Sequence, residues 1–209
     1  MSIQRIQIAD GDADTAQIAE FERGRRELIR KGLGLGGAIV AASSIPLLLS
    51  VRNAFAASSG DAELLESAIR LERIAVLAYD AGLDSGLLSA GFTKVARRFR
   101  DHEQEHADQL TTALTDLGGT EPPAPGAKDL ASVAKGIGDV KSQRDVVNVA
   151  IELELAAVAA YYEAQKKFVD AKLLQAGASI MANEAQHLVV LRQAVKRDPV
   201  PNAFETGAT

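Results

Sequence analysis

The chain has 209 residues, 47% hydrophobic and 24% charged, with 4% aromatics and a formal net charge of −5. That balance suits an ordinary globular protein rather than a disordered one, and scarce aromatics favour close-packed helices over a sheet. Without a long basic run in its body the chain is a poor partner for nucleic acid, since phosphate neutralisation needs clustered Lys and Arg. The absence of Cys removes disulfides, thiolate metal sites and a Cys nucleophile, leaving carboxylates and His as metal ligands.

Residues 1–23 are polar and show no lasting hydrophobic period. Arg25-Arg26-Glu27-Leu28-Ile29-Arg30-Lys31 follows, then an uncharged, Gly-rich stretch from Gly32 to Val51, then Ala54-Phe55-Ala56. An arginine pair, a weak apolar core and small residues at the two positions a signal peptidase reads resemble a twin-arginine export signal. Gly24 stands where such signals usually carry Ser or Thr. The competing reading is a retained membrane anchor, since twenty uncharged residues could just span a bilayer; the Gly content and Pro46 weaken it. Residues 1–56 are therefore expected to be an N-terminal polar segment and export signal, and residues 57–209 the folded domain. Residues 1–56 hold 7 Lys and Arg and 6 Asp and Glu, so residues 57–209 hold 16 and 22, a net charge of −6.

From Asp61 onward apolar residues recur every three or four positions, at Leu65, Ala68, Ile69, Ala75, Val76, Tyr79 and Leu83. This spacing predicts a helix over about 61–83, with Asp61 as its N-cap. Phe92, Val95, Phe99, Leu110, Leu114 and Leu117 continue a second helix, about 91–118, stopped by Gly118-Gly119. Residues 119–141 form a Pro- and Gly-rich connection with room for a short helix near Leu130 to Lys135. Ser142 with Asp145 three residues on is a helix-start signature, opening a third helix over about 142–168. The fourth spans about 171–197 and stops before Pro199.

The two halves repeat. Leu71-Glu72-Arg73-Ile74-Ala75-Val76-Leu77-Ala78-Tyr79 aligns with Leu153-Glu154-Leu155-Ala156-Ala157-Val158-Ala159-Ala160-Tyr161 at an offset of 82, and Glu103, His106 and Leu110 align with Glu184, His187 and Leu191 at an offset of 81. A helix pair, a long loop and a second helix pair predict an all-α four-helix bundle with a long crossover between its second and third helices.

Glu72, Glu103, Glu154 and Glu184 each sit within their helix's apolar stripe. A carboxylate there carries a desolvation cost of roughly several kcal/mol unless partnered, and four meeting in one core would repel one another. Two divalent cations remove both difficulties, because four carboxylates and two neutral imidazoles balance their charge. Each E-x-x-H pair leaves one helix face, so Glu103 with His106 and Glu184 with His187 can serve the same or adjacent metals. The third histidine, His102, points about 100° away around its helix and reads as a surface residue or one behind the ligands. Any single Glu could instead be a salt-bridged core residue, with Arg73 or Arg192 as partner.

In this pattern residues 61–197 resemble the ferritin-like superfamily, whose members hold two iron or manganese ions inside a four-helix bundle. The resemblance implies that Glu72 and Glu154 are terminal or bridging ligands, that Glu103 and Glu184 bridge or chelate, and that His106 and His187 cap one metal each. The same six residues would carry the chemistry. Tyr79 and Tyr161, each seven residues after the first Glu of its half, resemble tyrosines that hydrogen-bond a ligand, with simple core packing as the other option. Ala75 and Ala157 stand where rubrerythrin-type sites carry a further Glu, so rubrerythrin itself is disfavoured. The implied cofactor is two iron ions, alternatively two manganese ions. The implied function is an exported oxidoreductase acting with O2 or H2O2 in ferroxidase-like oxidation or peroxide removal. The alternative is a non-catalytic envelope or stress-related protein with a structural or vestigial metal site. The expected location is periplasmic or otherwise extracytoplasmic. Expected partners are O2 or H2O2, the twin-arginine machinery, the membrane if the signal stays uncleaved, and a second copy in a homodimer.

Overall fold

The computed structural model describes residues 60–133 and 139–207. Residues 1–56, read above as an export signal, lie outside the described residues. All regular structure among the described residues is helical: α1 (Asp61–Asp84), α2 (Ala90–Asp116), α3 (Ala127–Val133), α4 (Gln143–Ala164) and α5 (Ala171–Ala194). The four long helices form the bundle and α3 sits in the crossover. α1 packs along α2, α4 along α5, and the pairs meet through α1 with α4 and α2 with α5, while α3 lies against α1. The helical bundle with a long central crossover is the architecture the repeat implies.

Helix ends are fixed by local chemistry, with some departures from expectation. Ser142 caps α4: its hydroxyl accepts from Asp145 N (3.3 Å) and donates to Asp145 Oδ2 (2.8 Å). Asp61 is not a cap. Gly60 holds that place without a side-chain bond, and Asp61 instead accepts from Val169 N (2.9 Å) and Asp170 N (3.0 Å), pinning the α4–α5 turn to the start of α1. α2 closes in a Schellman turn, with Gly118 at φ 74°, Gly119 N donating to Leu114 O and Gly118 N to Thr115 O, 2.9 Å each. α4 stops at Ala164, short of Phe168, because the chain turns and brings Phe168 back beside Tyr161 and Gly177. α5 ends at Ala194, short of 197, where Lys196 adopts φ 58° and Arg197 N reaches Arg192 O (2.9 Å). Beyond it the tail doubles back: Arg192 Nη1 donates to Glu205 Oε2 (2.8 Å), and Gly207 packs so tightly on α4 that an added Cβ would stand 2.3 Å from Leu155 O.

The apolar core falls into two clusters. One gathers Leu64, Leu65, Ala68, Ile69, Leu110, Leu114, Tyr161 and Leu173; the other gathers Tyr79, Ala96, Phe99, Val147, Ile151, Leu188, Leu191 and Val195. The first belongs to one end of the bundle and the second to the other. Between them, midway along the four long helices, lie Glu72, Glu103, Glu154 and Glu184, all buried. Burial of the apolar stripes holds the bundle together, and the carboxylate layer is what that core must accommodate.

Candidate metal centre

Helix periodicity brings one Glu from each long helix into the middle layer, and the E-x-x-H spacing adds a His from α2 and from α5. The six side chains converge in two overlapping groups: Glu72, Glu103, His106 and Glu184, and Glu103, Glu154, Glu184 and His187. In each group one donor atom per residue lies within 4.8 Å of the others. Glu103 and Glu184 belong to both groups; Glu72 and Glu154 belong to one each. Both imidazoles aim Nδ1 inward. His106 Nδ1 is 3.1 Å from Glu184 Oε1 and 3.6 Å from Glu72 Oε2 and Glu103 Oε2. His187 Nδ1 is 3.2 Å from Glu103 Oε1, Glu154 Oε1 and Glu184 Oε2.

Closeness here is not satisfaction. Glu103 Oε1, both oxygens of Glu184 and His106 Nδ1 are buried and have no well-aligned hydrogen bond. Such atoms carry a desolvation cost that a cation bound among them would offset. Arg73 and Arg192 do not supply it. Arg73 pairs with Glu121 and donates to Pro122 O (3.0 Å), and Arg192 pairs with Glu205. The arrangement therefore fits a pair of hard or borderline divalent ions with O and N ligands.

The electrostatics agree. Burial, reinforced by the neighbouring Glu103 charge, pushes Glu72 up to about 8, against the pull of His106. Burial and Glu184 raise Glu154 to about 8 in the same way. Burial works against charge on the histidines but is outweighed. The close carboxylates of Glu103, Glu184 and Glu72 push His106 up to about 12, and those of Glu154, Glu103 and Glu184 do the same for His187. The centre thus holds protons in the absence of cations.

The two tyrosines cross between halves. Tyr79 on α1 donates to Glu154 Oε1 on α4, and Tyr161 on α4 donates to Glu72 Oε1 on α1. Burial and the adjacent carboxylates raise both phenols well above their ordinary value, so each remains a donor. Packing alone does not describe them.

Two residues gain roles that sequence reasoning left open or missed. His102 Nδ1 lies 3.0 Å from His187 Nε2. Burial and the charges of His187 and His106 lower its pKa, so a neutral His102 accepts the Nε2 proton while His187 keeps Nδ1 toward the carboxylates. Phe99 stacks on His187 with ring centroids 3.9 Å apart. A signal was present for both: an inward-facing Nδ1 leaves Nε2 needing an acceptor, and Phe99 lies one turn before Glu103. On the other side, His106 is 13% exposed at a polar pocket of about 510 Å³ lined by His102, Glu105, Gln109, Lys172 and Asn183.

The family model described as ferritin-like domain matches residues 60–197. No curated protein matches the chain. Among solved structures it is similar to a conserved hypothetical protein, rv2844, from Mycobacterium tuberculosis, at 17% identity and a TM-score of 0.56. That match covers 75% of this chain and 99% of the other; at such identity the likeness concerns fold alone.

Proposed function

The chain belongs to the ferritin-like domain family, and we propose that its core holds two redox-active ions, iron or alternatively manganese, in an oxidoreductase acting with O2 or H2O2. The observation that carries this reading is the pair of overlapping Glu/His groups whose shared carboxylates, Glu103 and Glu184, have buried oxygens without hydrogen bonds. Glu72, Glu103, His106 and Glu184 would hold one ion; Glu103, Glu154, Glu184 and His187 would hold the other. When bound, the ions supply Lewis acidity and one-electron exchange.

The chain's own groups do the rest. Tyr79 and Tyr161 fix the orientation of Glu154 and Glu72, and His102 fixes His187. The polar pocket gives small water-borne species an approach to His106. That approach favours a reactive centre over a sealed structural staple, the alternative kept for a non-catalytic envelope or stress-related protein. Ferroxidase-like oxidation and peroxide removal are the two reactions this arrangement suits.

Elemental analysis of folded, metal-replete protein tests the centre: two ions per chain are expected, and fewer than one would overturn it. Activity is tested by O2 uptake and peroxide consumption of the loaded protein against a Glu103→Ala, His106→Ala variant. If both proteins behave alike while only one carries metal, the non-catalytic reading takes its place.

The arginine pair, weak apolar core and A-x-A site support twin-arginine export to an extracytoplasmic, periplasmic location. No helix among the described residues is long and apolar enough to cross a membrane. Residues 1–59 fused to a folded reporter should direct its export, and Arg25→Lys with Arg26→Lys should leave it in the cytoplasm. Export of the doubly substituted fusion would remove the argument.

A further inference from the structure

The halves correspond at an offset of 82 between α1 and α4 and of 81 between α2 and α5, and the reciprocal tyrosine bonds show that the correspondence holds in space. Positions outside the ligand set differ, and one such difference follows the first helix of each half. After α4 the chain carries Phe168; 82 residues earlier, after α1, it carries the exposed Gly86 at φ 68°. Phe168 packs against the apolar cluster of its own end, beside Tyr161 and Gly177. A Cβ placed on Gly177 would stand 3.1 Å from Phe168 Cε2 and 3.6 Å from Tyr161 Cδ1. The counterparts of Tyr161 and Gly177 are Tyr79 and Ala96, and at that end Leu88 and Phe92 pack against the apolar cluster. A cavity of about 130 Å³ lies there, walled by Tyr79, Gly82, Phe92, Ala96, Val146 and Ala150 among others.

We propose that this cavity is a binding site for a small apolar organic molecule about the size of a benzene ring, held beside Tyr79 next to the centre. Size and lining carry the assignment. An apolar cavity of roughly 150 Å³ stays dry and takes up benzene or xenon, and this one is close to that volume. Its polar groups are already engaged. The Ser85 hydroxyl donates to Gly82 O (2.6 Å) and accepts from Leu87 N (3.2 Å), and the Tyr79 hydroxyl is bonded to Glu154. No lining group is left to call for a polar guest. An unfilled apolar void destabilises a core in proportion to its volume, and a guest packed against Tyr79, Phe92, Val146 and Leu153 would offset that cost. The guest would sit one side chain, Tyr79, from the carboxylate and histidine cluster. That it is the molecule on which the centre acts rests on the proposed function; the binding site itself does not.

Benzene titrated into the full chain, with and without bound metal, tests the proposal by ligand-observed NMR and by thermal shift. Saturable one-to-one binding with a raised melting temperature is expected. Ala150→Leu, which adds bulk at the cavity wall, should weaken binding at least tenfold while leaving the far-ultraviolet circular dichroism unchanged; Ala96→Leu serves if that variant does not fold. Phe168→Ala should create the mirrored cavity and raise the stoichiometry towards two. Absence of saturable binding to the unsubstituted chain, or equal binding by a folded wall variant, overturns the proposal. Benzene binding by a chain that takes up no metal would leave the cavity standing and remove the metal reading. Metal uptake without benzene binding would do the reverse.

Discussion

The two ends of the bundle are built on one repeated pattern and are closed in opposite ways. Around Glu72 and His106 the core is filled by Phe168 and Tyr161, and a polar pocket opens onto the imidazole. Around Glu154 and His187 the imidazole is 1% exposed, covered by Phe99 and backed by His102, with the apolar cavity behind Tyr79. The difference comes from residues outside the repeated Glu, Tyr and E-x-x-H set. Asn183 stands where a second His102 would be, and Ile180 where a second Phe99 would be. A duplicated ligand frame can thus keep its ligands in step while neighbouring positions give one end to water and the other to apolar matter.

The most damaging substitution should be Glu184→Ala. Glu184 belongs to both ligand groups, so both ions should be lost, whereas Glu154→Ala should spare the ion beside His106. Elemental analysis decides it; a Glu184→Ala chain that keeps one ion would show that the groups are not joined as described.

The protons of the metal-free centre give the next largest effect. Glu72 and Glu154 rise from 4.5 to about 8, and His106 and His187 from 6.5 to about 12. All four folded values lie above the unfolded ones. The stability they contribute is therefore present at low pH, and is lost as pH rises, between 4.5 and about 8 for the glutamates and between 6.5 and about 12 for the histidines. The melting temperature of metal-free protein should fall from about pH 5 to about pH 9, while metal affinity strengthens because fewer protons are displaced. A metal-free melting temperature that climbs through this window would contradict the assignment at both ends.

Phe168→Ala should cost about 2 kcal/mol, less than the ~3–5 of a fully buried Phe because the ring is only partly covered. Chemical denaturation measures it, and a neutral result would mean that the filled end is no better packed than the open one. An effect of similar size, confined to one ion, is expected of His102→Phe. Loss of a ligand's outer partner typically weakens a metal about 10- to 100-fold, and here only the ion beside His187 should respond. Calorimetric titration should resolve one weakened and one unchanged site; equal weakening would deny His102 its one-sided role.

Much of this was legible because it is local. The spacing of Leu65, Ile69, Glu72, Val76 and Tyr79 fixes one helix face, and the offset of 82 carries the same face to α4. Ser142 and Asp145 announce their cap within four residues. What stayed hidden depends on contacts between distant segments. Asp61 had the chemistry of a cap, but its carboxylate serves amides 108 and 109 residues away. His102 leaves its helix at an angle that periodicity assigns to the edge of the bundle, and only the approach of α5 gives it His187 as a partner. The cavity is harder still, since its walls come from separate segments, around Tyr79, Phe92 and Val146.

The crossed tyrosine bonds have a mechanical meaning. Each hydroxyl sits on one half and each receiving carboxylate on the other, so neither half can complete its own pair. Sliding α1 past α4 by a single turn, about 5.4 Å, would break both bonds together and strand two buried glutamates. The pair works as a register pin for the seam between the halves, holding at one alignment an interface whose alanine-rich surfaces would otherwise tolerate several.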